Sequence, residues 1–134
     1  MRVKTSELEG VALDWAVAKC EGYTPVVHSS LATVMVERMN ARGVMQLEHI
    51  HSLRFSTDWA QGGPIIEQEG INVCIQHDEP GYKLSDKVRW YAQVDHRSFT
   101  AYGPTPLIAV MRCYVRSKLG DEVEIPAQLL TANA

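Results

Sequence analysis

The sequence predicts an α+β fold in one domain, and three observations lead to this prediction. The chain has 134 residues, which is the usual size of one domain built around one hydrophobic core. Apolar residues recur at helical spacing near both ends and alternate with polar residues in the middle. The resulting order of helix, strands, short helices, strands and helix is typical of α+β proteins. We expect an antiparallel sheet of about five strands, a hairpin plus a three-stranded meander, packed by two amphipathic helices.

The first element is a predicted helix over residues 6–21. Apolar side chains between Leu8 and Cys20 recur mostly at intervals of three and four, which gives this segment one buried stripe. A hydroxyl group at Thr5 or Ser6 can accept a hydrogen bond from the first turn, and Gly22 is a stop signal.

A β-hairpin is predicted next, because the period of the apolar residues changes. Val34 and Val36 alternate with other residues, as do Met45 and Leu47. Between these runs, residues 40–43 have the composition of a turn, in which Asn and Gly supply positive φ angles. The two runs are therefore expected to pair as antiparallel strands.

Two short helices are predicted around a glycine pair. Asp58 precedes Gln61 by three residues, which is the spacing of a capping box. Gly62 and Gly63 are expected to break this helix after one turn, and Pro64 suits the start of a new one. The prediction is one helical turn, a glycine bend and a short helix that ends at Gly70.

A three-stranded meander and a final helix complete the predicted fold. Alternating residues predict strands at 71–75, 88–94 and 98–102, and a turn at residues 95–97 joins the last two. The final helix runs from a Thr105 cap and Pro106 to Gly120. The whole chain, 1–134, reads as a single domain whose tail after about residue 126 is free to fray.

Composition limits the classes of function and the compartment. A net charge of −3 and a pI near 5.9 argue against a protein that coats nucleic acid nonspecifically. The sequence has no apolar run of about 20 residues that would span a membrane, and no secretion signal is evident at its start. Cys20, Cys74 and Cys113 lie in apolar segments and are interpreted as buried, reduced thiols. These features favour the cytoplasm, with no membrane partner.

Three stretches together carry a resemblance to a known family. They are Val3–Leu8 with Leu13–Ala18, Ser56–Pro64, and Gly103–Ile108. With these motifs the chain resembles the phage NinX family from end to end. The resemblance implies a small phage or prophage protein, of a kind sometimes encoded among recombination and late-control accessory genes. It implies no established activity, so no catalytic residue is carried over.

The first candidate site is a small-ligand or nucleotide site at the glycine pair. Its residues are Asp58, Trp59, Gln61, Gly62 and Gly63. Glycines let a backbone approach a ligand closely, and a following helix N-terminus presents N–H groups to an anion. The alternative is a capped turn whose tryptophan fills the core. The segment lacks the Lys-Ser or Lys-Thr ending of a phosphate-binding loop.

The second candidate site is a basic face on the last helix. Arg112 and Arg116 are four residues apart and share one side of the helix, and Lys118 lies nearby in sequence. With Arg89, Arg97 and neighbouring aromatic residues, they are candidates for binding single-stranded nucleic acid. The alternative is a solvated helix face, which the acidic net charge favours.

Two further clusters contain residue types that serve in metal binding and in catalysis. His49 and His51 lie two residues apart on a predicted strand, where paired imidazoles suit a metal, but no third ligand is evident. Residues 77–79 are His, Asp and Glu in a loop, and without a nucleophile a solvated loop is the simpler interpretation. The sequence therefore predicts no metal, no cofactor and no catalytic residue.

The functional prediction is a noncatalytic accessory protein that binds another protein. The sequence contains no catalytic triad, metal cage or complete nucleotide motif, and fold alone does not imply an activity. The partner would be an unidentified host or phage protein, and self-association is left open. The two alternatives are ligand binding at the Asp58 segment and association with nucleic acid.

Overall fold

The computed structural model describes residues 1–27, 34–81, 83–94 and 99–131. These residues form eight strands and four α-helices. In chain order they are β1 Arg2–Lys4, α1 Gly10–Cys20, β2 Thr24–Val27, β3 Val34–Met39, β4 Met45–His49, α2 Trp59–Glu69, β5 Asn72–Ile75, β6 Trp90–Val94, β7 Phe99–Gly103, α3 Pro106–Leu119, β8 Glu122–Glu124 and α4 Ala127–Thr131.

The strands form three antiparallel sheets, ordered β2-β3-β4, β5-β6-β7 and β1-β8. The α+β prediction is confirmed, including the β3–β4 hairpin and the β5–β6–β7 meander. The structure differs in dividing the strands among three sheets and in adding β1, β2 and β8. Three-residue strands such as β1 and β8 are too short to show an alternation in the sequence. The predicted turn at residues 95–97 lies outside the described residues.

The core forms where α3 packs against the meander and against α1. Ala92 on β6 and Ala101 on β7 are both buried, and their small side chains let the helix approach the sheet closely. Gly103 has the same role, since a Cβ atom there would lie 2.8 Å from the backbone nitrogen of Ala109. The α3 side chains buried in this layer include Leu107, Val110, Met111, Tyr114 and Val115.

The predicted boundaries of α3 are confirmed, because local caps define both ends. The Thr105 hydroxyl accepts a hydrogen bond from the N–H of Ile108 at 3.1 Å, and Pro106 occupies the first helical position. Gly120 ends the helix with a φ angle of 93°.

The N-terminal helix begins later than predicted, at Gly10 instead of residue 6. Thr5–Glu7 forms a separate 3-10 turn. The Thr5 hydroxyl does not cap the helix, because it donates a hydrogen bond of 2.6 Å to the carbonyl of Gly120. The polar group that the sequence assigned to a cap therefore fixes the first residues of the chain to the end of α3.

The prediction of a glycine bend in residues 58–70 is wrong, because α2 is one continuous helix. Asp58 caps its start and Gly70, at φ 64°, caps its end. Pro64 lies inside the helix, at the sixth position, where its missing N–H removes only the bond to the carbonyl of Ala60. Gly62 permits close packing instead of forming a bend, because it lies against Phe55 and Leu107.

The described chain continues as a helix after residue 126. Residues 127–131 form the short helix α4, and its Leu129 side chain is buried in the core. No helix among the described residues is both long enough and apolar enough to cross a membrane.

Candidate functional site

The three sequence stretches that carry the family resemblance meet in space. Asp14 on α1 is buried, and its carboxylate accepts a hydrogen bond of 2.8 Å from the N–H of Ser56. A Cβ atom on Gly62 would lie 2.9 Å from Leu107 of α3. Burial raises the pKa of Asp14, and hydrogen bonding from Ser56 partly offsets that rise. The α1, α2 and α3 motifs are therefore parts of one packed unit.

At the start of α2, Asp58 and Gln61 are bonded to the chain itself. The Asp58 carboxylate accepts from the N–H of Ala60 at 3.0 Å and from the Gln61 amide at 3.3 Å. The Gln61 carbonyl accepts from the N–H of Arg54 at 2.9 Å, and its amide also donates to the carbonyl of Ser52 at 3.2 Å. These contacts tie the preceding loop to the helix.

The other three predicted ligand residues belong to the first part of α2, and their environments differ. Gly62 is buried, and a Cβ atom there would come within 3.0 Å of the Phe55 carbonyl. Gly63 faces open space. Trp59 does not fill the core, since 54% of it is exposed. It borders a shallow cleft of about 210 Å³ that Thr105 and Pro106 also line.

A larger groove lies between β1, the 3-10 turn, β7 and the second half of α3. We call it the Arg112 groove, and it has a volume of about 1130 Å³. Its charged lining residues are Arg2, Lys4, Lys87, Arg112 and Arg116, with Glu7, Glu9, Asp121 and Glu122. Thr100 and Tyr102 of β7 form part of its wall.

Arg112 and Arg116 meet in this groove, as their spacing of four residues predicted. Arg112 is only 8% exposed, and it donates to the carbonyls of Leu8 at 2.8 Å and Tyr102 at 2.9 Å. Arg116 donates to Asp121 at 2.7 Å and to the carbonyl of Thr100 at 2.8 Å. The two guanidinium groups therefore cover carbonyls on the outer edge of β7.

Lys118, the third predicted nucleic-acid residue, lies elsewhere. Its ammonium group pairs with Glu69 on α2 at 3.2 Å. Arg89 holds the loop before β6 by donating to Asp78 at 3.1 Å and to the carbonyl of Gln76 at 3.0 Å. Arg97 lies outside the described residues. The structure thus groups Arg112 with Arg116 and separates them from Lys118.

An exposed apolar surface at the end of the β3–β4 hairpin was missed in the sequence. We call it the methionine patch, and it consists of Met39, Val44, Met45 and Leu47, which are 49–59% exposed. Met39 lies directly opposite Met45 in the register, so these two share one face of the sheet with Leu47. The signal was present in β3, where Val36 and Met39 lie on opposite faces and both are apolar.

The histidine and loop clusters are engaged in local contacts. The His49 ring accepts a hydrogen bond of 3.1 Å from the N–H of His51, and the two rings stack at 5.1 Å. The described residues contain no group of three or more His, Cys, Asp or Glu side chains arranged to hold a metal ion. Asp78 accepts from the N–H of Leu84 at 3.0 Å, which lowers its pKa.

The cysteines differ in exposure, and the prediction that all three are buried is wrong for Cys74. Cys113 is buried, and Cys20, the last residue of α1, is partly buried. Burial raises the pKa of Cys113 to about 11 and that of Cys20 to about 12, so neither thiol ionises readily. Cys74 is exposed because it lies in register with Tyr91 and Tyr102, on the face of the meander opposite the buried Ala92 and Ala101.

Comparison with known proteins identifies the family. A comparison with curated proteins gives no significant match. The family described as bacteriophage P22 NinX matches residues 4–118, a range that includes α1, the start of α2 and nearly all of α3. Since this match covers most of the chain, the protein belongs to the phage P22 NinX family.

Proposed function

We propose that this chain is a noncatalytic accessory protein of phages or prophages that binds another protein through the methionine patch. The observation that carries the proposal is the exposure of Met39, Val44, Met45 and Leu47, each about half exposed or more, at one end of one sheet. Clustered apolar side chains of this kind mark interaction surfaces, whereas single exposed ones do not. Its place of action would be the host cytoplasm, where three free thiols suit a reducing compartment.

The register of the hairpin supports a partner on this face. Val36, on the opposite face of β3, is buried against the rest of the chain. That face is therefore used for folding, which leaves the Met39 and Met45 face for another molecule. Methionine side chains are flexible and polarisable, so they adapt to an incoming apolar surface.

The dimensions of the patch favour one apolar helix face as the partner surface. The patch lies on β3, β4 and the turn between them, and neighbouring strands are about 4.8 Å apart, so it is a narrow strip along one hairpin. An α-helix with its side chains is roughly 10–12 Å wide. An amphipathic helix of a host or phage protein therefore fits this face, with its apolar stripe on Leu47 and the two methionines.

The test compares Leu47→Glu with Gln46→Glu as a matched control. Both add one carboxylate at adjacent exposed positions of β4, but Gln46 lies on the opposite face. Tagged proteins would be captured from infected cells, and the affinity of each recovered partner would be measured with purified components. We expect Leu47→Glu to weaken binding at least tenfold and Gln46→Glu to leave it unchanged.

Two results would contradict this proposal. One is the recovery of the same partners, with equal affinity, by both variants. The other is a dimer in light scattering that Leu47→Glu alone disrupts, because the patch would then be occupied by a second copy of the chain.

A second candidate function is small-ligand binding at the start of α2, and the exposure of Trp59 favours it. The tryptophan borders the 210 Å³ cleft beside the capped start of α3. A nucleotide that stacks on this ring would quench its fluorescence. Titration of the wild type and of Trp59→Phe with nucleotides tests this, since quenching that persists in the variant does not come from the site.

A further inference from the structure

We propose that the Arg112 groove binds a small molecule through an anionic group, a carboxylate or a phosphate. Arg112 would contact that group from the floor of the groove, and Lys4 and Lys87 would face it from the rims. This site is separate from the methionine patch, and its occupation does not depend on a protein partner.

The environment of Arg112 is the first argument. Arg112 is only 8% exposed, and its described hydrogen bonds are to two carbonyl groups. Among the described residues, no carboxylate lies within 4.0 Å of it to form an ion pair, although Glu9 acts on it at longer range. A buried cation without a close counterion is costly, and an anion in the groove would offset that cost. The two carbonyls also hold the guanidinium in a fixed orientation for a carboxylate or phosphate.

The charges around Arg112 are the second argument, and they limit the ligand to a small anion. Asp121 is paired with Arg116 at 2.7 Å, and Glu122 is paired with Arg2 at 3.3 Å. Lys4 and Lys87 are exposed and form no ion pair within the described part of the chain.

Two further acidic residues line the same groove, Glu7 in the 3-10 turn and Glu9 just before α1. The groove therefore has only a slight excess of positive charge. A nucleic acid strand would meet these carboxylates along its length, whereas a ligand with one anionic group can avoid them. The volume of about 1130 Å³ is large enough for a ligand of drug or nucleotide size.

The experiment titrates the full chain with pyrophosphate and with citrate at constant ionic strength, with chloride as the reference. Binding is followed by NMR through the Nε–Hε signals of the arginines. We expect a saturable shift at Arg112 with at least one probe. The probe that binds more tightly identifies the phosphate or the carboxylate class.

Surface variants test the location without endangering the fold. Lys4→Ala and Lys87→Ala each remove one exposed cation of the groove, and we expect affinity to fall roughly two- to fivefold in each case. Lys83→Ala is the matched control, because Lys83 is also exposed but does not line the groove. Arg112→Lys keeps the charge and loses the forked geometry, so it should weaken binding more strongly than either lysine variant.

The proposal is overturned by the absence of any saturable shift with both probes, or by an equal loss in Lys83→Ala. It is also overturned if a single-stranded oligonucleotide binds more tightly than both probes, with shifts that extend to Lys118. If Arg112→Lys does not fold, the comparison of the three lysine variants still decides the matter.

Discussion

The packing of helix α2 predicts different effects on stability when each of two adjacent glycines, Gly62 and Gly63, is replaced by alanine. A Cβ atom on Gly62 would lie within 3.0 Å of the Phe55 carbonyl, 2.9 Å from Leu107 and 3.4 Å from Met111. The first of these atoms belongs to the backbone and cannot rotate away, so the helix must shift. Such overpacking typically costs about 1–3 kcal/mol, and we expect Gly62→Ala to lower the free energy of unfolding by this amount.

Gly63→Ala is the control, because a Cβ atom there meets nothing within 4 Å. Alanine is favoured over glycine inside a helix by roughly 0.5–1 kcal/mol. Pro64 disfavours helical angles in the residue before it, which offsets part of that gain. Gly63→Ala should therefore differ from the wild type by less than about 0.5 kcal/mol.

The free energy of unfolding of both variants is measured by urea denaturation, with circular dichroism as the signal. In thermal unfolding the same loss in Gly62→Ala corresponds to roughly 4–12 °C for a chain of this size. If both variants are equally stable, or if Gly63→Ala is the less stable one, the packing argument fails. The two residues would then form the bend that composition suggested.

Three further predictions concern titration, thiol chemistry and a helix cap. Burial raises the folded-state pKa of Asp14 above its unfolded value of about 3.9, so its contribution to stability is fully present below the unfolded pKa and is lost as pH rises through the folded pKa. The stability of the wild type relative to Asp14→Asn, measured by urea denaturation, should fall as the pH rises above the unfolded pKa, and a rise would contradict the assignment. Cys74 should react rapidly with a disulfide reagent in the native protein, whereas Cys20 and Cys113 should react only on unfolding, and rapid release of more than one thiol per chain would refute this order. Thr105→Ala removes the cap of α3 and should lower the free energy of unfolding by about 1 kcal/mol in urea, and an unchanged value would show that the cap is dispensable.

Features set by neighbouring residues were predictable from the sequence. The ends of α3 follow from Thr105, Pro106 and Gly120, which act within one turn of the helix. In the β3–β4 turn, the Asn40 side chain accepts from the N–H groups of Arg42 at 2.9 Å and Val44 at 3.0 Å, as its turn composition suggested.

Features set by distant contacts were not predictable. A glycine at a bend and a glycine at a close helix contact look alike in sequence, and only the positions of Phe55 and Leu107 distinguish them for Gly62. Similarly, alternation in β4 identifies its apolar face but not whether that face is covered. In the structure the Leu47 face is exposed, so a pattern expected to mark the core marks the surface.

The charged residues of α3 include one feature that was predictable from the sequence and one that was not. The spacing of Arg112 and Arg116 predicted a shared side, and they share the groove. Nothing in the sequence indicated that Leu8, more than a hundred residues earlier, supplies a carbonyl to Arg112. Grooves assembled from segments so far apart are properties of the topology.

The pairing of β1 with β8 has a consequence for the order of events during synthesis. Its register joins Arg2 with Glu124 and Lys4 with Glu122. A ribosome adds about 5–20 residues per second, so β1 waits roughly 6–24 s for its partner strand to be made. Until then the wall that carries Lys4 has no sheet to hold it, although Arg112 is already present in the nascent chain. The groove therefore forms only after residues 122–124 have been made, and a chain truncated before residue 122 would contain Arg112 without the wall that β1 and β8 form beside it.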